Sequence, residues 1–400
     1  MGVPAVDRNL ELMLKEQNTA FYVFDSAVLK KRIMHLRTRL PERLELCYAV
    51  KANPFITKEI ENETERFEIC SPGEYEICKA LGIDSRKMVI SGIYKTPEVI
   101  EGLVSDKDFC GIFTAESVRQ YDLLCELSEK YGKKLKVLPR LTNDSQFGID
   151  PEELENIIRK RDLNPLIEII GVQFFSGTQK TSLKKFRREL EMLDSFLEKL
   201  KSEFSFEAGE FEYGTGFPVS YFRNESLDED ALLEGFSELI IGIGFKGRII
   251  LEIGRSIAAS CGKYYTHIVD IKSNKGINYA LIDGGMHHLV YYGQQMAMKQ
   301  PFLSVIGKDS IVPDKLWTVC GSLCSMNDIV VKQLPLPEIE VGDVLCFENA
   351  GAYCMTEGIS LLLSRDLPAV YIIKENGELY RVRRTFETLA LNMPKYERMD

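Results

Sequence analysis

Leu44 to Val50 is an apolar run that reads as a buried β-strand, and Lys51 follows it directly, ahead of an Ala52-Asn53-Pro54 break. A folding core expels a bare ammonium unless something pairs with it. An amine in this position can lose its charge by forming a Schiff base with an aldehyde, and pyridoxal phosphate is the usual aldehyde. The plain alternative is a lysine that snorkels out at a strand end.

Further runs carry compatible chemistry. Gly214-Thr215-Gly216 and Glu252-Ile253-Gly254-Arg255 combine glycines, whose backbone N–H groups can approach an anion closely, with an arginine that adds charge-assisted bonds. Glu252 is a carboxylate that could pair with a protonated pyridine nitrogen. Each run alone also reads as a glycine turn with a surface ion pair; beside Lys51 the cofactor reading is the stronger. In Gly171–Thr178, Phe175 could stack on a pyridine ring and Thr178 could bond a phosphate, although alone the run reads as a core strand and turn. A literal GxGxxG at Gly242–Gly247 precedes a strand and opens no helix, so it reads as a turn.

These groups must be positioned by regular elements. Apolar β-type runs recur at Leu44–Val50, Phe67–Cys70, Met88–Ser91, Cys110–Phe113, Leu135–Leu138, Ile167–Phe174, Phe211–Gly214 and Ile249–Leu251. Amphipathic stretches separate them. Glu116–Lys130 is one, with Gly132 beyond its end; another opens at Asp150, expected as N-cap, with Pro151 at the first helical position and Glu153 at the capping-box position. Alternating strand and helix units predict an α/β chain whose first domain, residues 26–255, is a parallel (β/α)8 TIM barrel. In such a barrel the active site lies at the C-terminal strand ends, where Lys51, Gly216 and Glu252 fall.

Beyond residue 256 strands follow one another without long helices: Tyr264–Ile271, Tyr279–Ile282, Trp317–Val319, Val344–Phe347, Ala369–Ile373 and Leu379–Arg383. Asn376-Gly377 between the last two is a hairpin signal. Residues 256–400, joined by residues 1–25 with a strand at Phe21–Phe24, are therefore expected to form a mostly antiparallel β-domain. The chain has 400 residues, 45% of them hydrophobic and 28% charged, with a net charge of −10, which disfavours nucleic acid and a basic membrane anchor as partners. No apolar run approaches membrane-spanning length, and Met1–Val6 shows neither a signal peptide nor a myristoylation site. The ten cysteines are scattered without CxxC pairs, which reads as reduced thiols in a cytoplasmic protein, and no metal site is assigned.

Taken in order, Lys51 in its YAVKANP run, Phe67–Glu74, Arg140 with Phe147-Gly148, the Gly214 loop, Glu252-x-Gly-Arg255, Asp283-Gly284-Gly285-Met286, Cys324-x-x-x-Asp328 and Gly351-Ala352-Tyr353 resemble the ornithine/diaminopimelate decarboxylase family over about residues 20 to 390. The resemblance implies pyridoxal phosphate on an alanine-racemase-like barrel with a C-terminal β-domain. By position it makes Lys51 the Schiff-base lysine and Glu252 the partner of the ring nitrogen. Gly216, Gly254, Arg255, Thr178 and Tyr353 would bind phosphate, with Arg140 and Phe175 in the cofactor set. Cys324 would reprotonate Cα after CO2 leaves, reaching in from the second subunit of a homodimer, and Asp328 would contact substrate or cofactor across that interface. Thiols suit such a role because their proton is readily shifted by neighbouring charge.

The departures bear on substrate. Family members that handle diaminopimelate carry Glu after the cysteine, where this chain has Ser325, and an arginine eight residues past the DxGM aspartate, where it has Tyr291. Those charges hold the distal ends of diaminopimelate, and a site without them should lose that preference. The ring-stacking histidine of the family is Phe175 here. His287 and His288 follow Met286 and either line the site or serve structure. The DGGMHH run, the Gly-Thr-Gln end of the sixth strand and Ser325 resemble biosynthetic offshoots that decarboxylate modified amino acids, including conjugated or carrier-tethered ones. The expected activity is thus α-decarboxylation of an L-amino acid or a conjugate. Three alternatives stand beside it: diaminopimelate decarboxylase proper, an amino-acid racemase on the same barrel, and a non-catalytic relative. A racemase typically sets the lysine against a tyrosine, whereas Cys324 favours decarboxylation. Non-catalytic relatives tend to lose the lysine or the cysteine, and both are present.

Overall fold

A computed structural model describes residues 8–308, 311–397 and 399. The Met1–Val6 run, considered for targeting signals, lies outside them. The chain divides into two compact units: Lys30–Val219 with Leu227–Ile257, and the remainder, comprising the residues up to Leu29, Ser220–Ser226 and those from Ala258 onward.

The first unit is the closed eight-strand parallel barrel the sequence predicts. Its strands are Leu44–Ala49, Arg66–Ile69, Met88–Ile90, Ile112–Ala115, Leu135–Leu141, a sixth in two pieces (Ile167–Ile169 and Gly171–Phe175), Glu210–Gly214 and Arg248–Ile253. Closure comes from the eighth strand pairing in parallel with the first, Ile249 opposite Leu44 through Ile253 opposite Tyr48. Both faces of such a sheet are covered, so its strands stay largely buried along their length even where, as in Arg66–Ile69 and Glu210–Gly214, charged residues alternate with apolar ones. Cys47, Val89, Ile112, Leu138 and Ile250 from five strands form one buried cluster. The sixth strand is broken where a Cβ on Gly171 would lie 1.8 Å from the Glu210 carbonyl oxygen; the chain can pass that close only as glycine.

Connecting helices follow their end signals unevenly. Val118–Tyr131 starts where Ser117 Oγ accepts the Gln120 amide at 3.2 Å and stops at left-handed Gly132. Pro151–Arg159 begins at Pro151 as expected, but the Asp150 side chain makes no capping bond. The Gly242–Gly247 motif is the turn between helix Glu229–Gly242 and the eighth strand; the Gly244 and Phe245 amides both donate to Asp194 at 2.8 Å.

The second unit is a separate, mostly antiparallel sheet. Phe21–Asp25 lies between Gly262–Asn274, antiparallel, and Ala369–Ile373, parallel. Ala369–Ile373 turns through Asn376-Gly377 into Leu379–Arg383, with Gly377 at a φ of 83° as that turn demands. Two strands are unheralded in the sequence, Leu303–Val305 and Ile329–Leu336. The first is three residues long. The second is interrupted by Lys332-Gln333 and carries Pro335, and Gln333 has a φ of 51°, which breaks the alternation a strand normally shows. Met13, Phe21, Val23, Tyr265, Cys346, Ala369 and Tyr371 form this unit's own core. Among the described residues no helix is long and apolar enough to cross a membrane.

Candidate active site

Lys51 leaves the first barrel strand on a short 3-10 turn, Val50–Ala52. Asn53 shapes the turn beyond it: its Oδ1 accepts the Phe55 amide at 3.0 Å, and its carbonyl accepts the buried Tyr48 hydroxyl at 3.0 Å. The Lys51 side chain keeps 38% exposure at the barrel mouth while its ammonium bonds the buried carboxylate of Glu68 and lies 3.6 Å from Glu252 Oε1. Glu68 comes from the second strand and Glu252 from the eighth, so one amine faces two carboxylates. Burial raises both carboxyl groups, and their mutual repulsion lets only one stay readily ionised. Lys51 holds Glu68 low, whereas burial and the Glu68 charge push Glu252 up.

Beneath this pair the barrel interior is polar. The Gln173 amide, on the sixth strand, donates to Glu252 at 3.1 Å and to Glu212 at 3.3 Å. Burial pushes the Glu212 carboxyl up to about 7, against the opposing charge of Arg66, whose guanidinium lies 3.4 Å from it. Arg66 is bonded in turn to Glu210 at 2.6 and 2.8 Å. Glu68, Gln173 and Glu212 were not singled out from the sequence. The available signal was a charged or amide residue inside each buried strand, a position that burial makes costly unless it is paired.

The sixth- and seventh-strand loops interlock. Gly216 has a φ of 59°, and a Cβ there would lie 2.0 Å from the Gly177 carbonyl oxygen; one on Gly214 would lie 2.2 Å from the Phe175 ring. Glycine is thus required by the approach of one loop to the other. Thr178 Oγ1 lies 3.4 Å from Arg255 Nε, and Arg255 is buried at the end of the eighth strand, next to Gly254. Arg140, on the fifth strand, is buried and pairs with Glu116 at 2.7 Å. The Phe147 ring covers its guanidinium at 4.8 Å and the Phe175 ring flanks it at 5.8 Å. The barrel therefore gathers Lys51, Glu252, Gly216, Gly254, Arg255, Thr178, Phe175 and Arg140 into one unit. The residue types fit pyridoxal phosphate: an amine for its aldehyde, a carboxylate for its ring nitrogen, close-approaching glycines and an arginine for its phosphate. Gln173 Oε1 and Arg140 Nε are buried polar atoms without a hydrogen-bond partner.

Cys324, Ser325, Asp328, His287, Tyr291 and Tyr353 belong to the other unit. There Asp328 is buried and joins two loops: one oxygen accepts the Met286 amide and the other the Leu323 amide, both at 2.7 Å. A Cβ on Gly285 or Gly321 would come within 2.6 Å of this carboxylate, so the glycines of both loops make room for it. Cys324 and Ser325 sit on the loop that Asp328 fastens, with Cys324 exposed. Asp283 accepts the Thr266 hydroxyl at 2.5 Å and the His267 amide at 3.0 Å. His288 Nε2 donates to the Asp366 carbonyl at 2.7 Å, and its Nδ1 lies 3.1 Å from the Tyr264 hydroxyl. His287 is buried, and burial brings its imidazole down to about 3, so it is neutral at pH 7. Tyr291 is buried and donates its hydroxyl to the Glu348 carbonyl at 2.5 Å. Tyr353 is half-buried with a φ of 64°.

Comparison with known proteins bears on the family and the fold. Residues 26–259 match the pyridoxal-binding domain of the pyridoxal-dependent decarboxylases. The chain is 25% identical over 396 residues to a diaminopimelate decarboxylase of Aquifex aeolicus, covering 94% of this chain and 91% of that one. It is 25% identical over 398 residues to the L-glutamyl-[BtrI acyl-carrier protein] decarboxylase of Niallia circulans, covering 93% and 92%. The solved structure of diaminopimelate decarboxylase from Helicobacter pylori, complexed with L-lysine, superposes with a TM-score of 0.84 at 22% identity, over 96% of this chain and 98% of that one.

Proposed function

Because this chain belongs to the pyridoxal-dependent decarboxylase family, we propose that it removes the α-carboxylate of an L-amino acid or amino-acid conjugate other than diaminopimelate. The observation that carries the reading is the meeting of Lys51 and Glu252 at 3.6 Å, at the same barrel mouth as the glycine loops.

Pyridoxal phosphate, when bound, supplies an electron sink for the pair left on Cα as CO2 departs. The chain's own residues do the rest. Lys51 is the amine that takes the aldehyde, and Glu252 holds a proton on the ring nitrogen. Gly216, Gly254, Arg255, Thr178 and Tyr353 are assigned to the phosphate, and Arg140 and Phe175 to the ring. Cys324 delivers a proton to Cα, from the second subunit of a homodimer. Asp328 keeps the Cys324 loop in shape. Ser325, Tyr291 and His287 are assigned to the substrate side.

Two features support a substrate without the distal charges of diaminopimelate. Ser325 carries no charge to form an ion pair with an ammonium, and Tyr291 has its hydroxyl committed to the Glu348 carbonyl. The likeness to a decarboxylase of a carrier-bound glutamyl group points the same way. The scattered free cysteines suit a cytoplasmic setting, and the net charge of −10 suits a small or tethered amino-acid substrate better than nucleic acid.

The test is CO2 release by purified holoenzyme from a panel of free amino acids, diaminopimelate and conjugated amino acids. The expected result is turnover of a conjugate or of another free L-amino acid well above diaminopimelate. Preferred turnover of diaminopimelate would overturn the substrate reading, and racemisation without CO2 would overturn the reaction.

A further inference from the structure

Lys180 is a lysine the catalytic scheme does not use, and its side chain is only 1% exposed. A buried ammonium is costly unless several partners hold it. Its partners come from three places. On its own loop it donates to Ser176 Oγ at 3.1 Å. From helix Leu183–Phe204 it takes the carboxylate of Glu189 at 2.8 Å. From the seventh strand it reaches the Tyr213 hydroxyl at 3.2 Å and the Gly214 carbonyl at 3.3 Å. Glu189 completes the knot by accepting the Ser176 and Tyr213 hydroxyls.

Its place relative to the glycine loop is specific. The Lys180 amide donates to the Gly216 carbonyl at 2.9 Å, and a Cβ on Gly216 would lie 3.1 Å from Lys180 Cε. Both ends of this one residue thus bind the Gly214–Gly216 segment, the amide at one glycine carbonyl and the ammonium at the other. Two carbonyls turned toward Lys180 would be turned away from an anion bound on the loop's other side. That is the arrangement an anion-binding backbone needs, since exposed carbonyl oxygens would repel a phosphate.

We propose that Lys180, braced by Glu189, Tyr213 and Ser176, is a positioning residue that sets the Gly214–Gly216 backbone for the phosphate of the cofactor. The inference rests on the assignment of pyridoxal phosphate to this mouth. It adds a residue that touches no ligand itself and acts through the loop.

The test compares two ligands on apo protein, by spectroscopic titration: pyridoxal phosphate, and pyridoxal, which lacks the phosphate. Lys180→Met should weaken pyridoxal phosphate about tenfold to a hundredfold, as expected for losing bonds from a charged donor, while leaving the weaker affinity for pyridoxal unchanged. Removing one partner of a buried pair strands the other, so Lys180→Met/Glu189→Gln, which discharges both, carries the same comparison if the single variant does not fold. Unchanged affinity for pyridoxal phosphate, or equal loss for both ligands, would overturn the proposal. Failure of the wild-type protein to bind pyridoxal phosphate would instead overturn the cofactor assignment beneath it.

Discussion

Lys51 Nζ and Glu252 Oε1 lie 3.6 Å apart, although 200 residues separate them in the chain. The eighth strand closes against the first, so Glu252 stands opposite Cys47 in register, and Lys51 follows at the strand's end. Loss of the Lys51 charge to an aldehyde would leave two buried carboxylates, Glu68 and Glu252, without their shared ammonium. By the assignment above, Glu252 would then be the one to hold a protonated ring nitrogen.

Lys51→Ala should abolish cofactor attachment. Borohydride reduction followed by mass spectrometry of the intact protein should find no adduct, and turnover should fall at least about a thousandfold. A reducible adduct at another lysine would show that the amine has been misassigned.

Glu252→Gln should retain the cofactor but lose turnover by roughly a hundredfold or more, since an amide cannot keep the ring nitrogen protonated. Steady-state kinetics on variant protein saturated with pyridoxal phosphate checks this. Undiminished kcat would remove Glu252 from the chemistry.

Cys324→Ala should slow turnover by about a hundredfold, within the usual range for a general acid, and leave the affinity for pyridoxal phosphate unchanged. Solvent-deuterium analysis of the product offers a second readout, because a substitute proton donor should relax the stereochemistry at Cα. A variant that loses cofactor rather than rate would refute the role.

Glu212 makes apo stability depend on pH. Its folded carboxyl is raised to about 7, above the ordinary carboxylate range, so the native state binds a proton that the unfolded chain gives up. The contribution is fully present below about pH 4.5 and is lost as pH rises through 7. Urea midpoints from pH 5 to 8 should therefore decline less steeply in Glu212→Gln than in the wild-type protein. Parallel slopes would place the titration elsewhere.

Asp328→Ala should cost about 1–3 kcal/mol for each backbone amide it leaves unsatisfied, those of Met286 and Leu323. Denaturant unfolding would measure the loss. Faster amide exchange at those two residues would localise it to the joined loops.

The barrel was legible in the sequence because each strand is a local event. An apolar run ended by Asn53-Pro54, a proline opening a helix at Pro151 and a glycine closing one at Gly132 state their structure within a few residues. The same holds for the Asn376-Gly377 hairpin, and the reverse for Ile329–Leu336, whose Lys332-Gln333 and Pro335 hide a strand that only its neighbour in the sheet stabilises. Asp150 sits where a capping residue should, yet makes no capping bond, since local sequence offers a partner without compelling it. Lys51 and Glu252 could be named from their places at strand ends and from family resemblance. That Lys51 would be bonded to Glu68, that Gln173 would bridge Glu252 and Glu212, and that Lys180 would brace the glycine loop could not. Those contacts join residues from different strands and the turns that follow them, and their meeting is fixed by the order and stagger in which the barrel closes. Periodicity tells each strand which residues to bury; only closure decides which buried charge finds which.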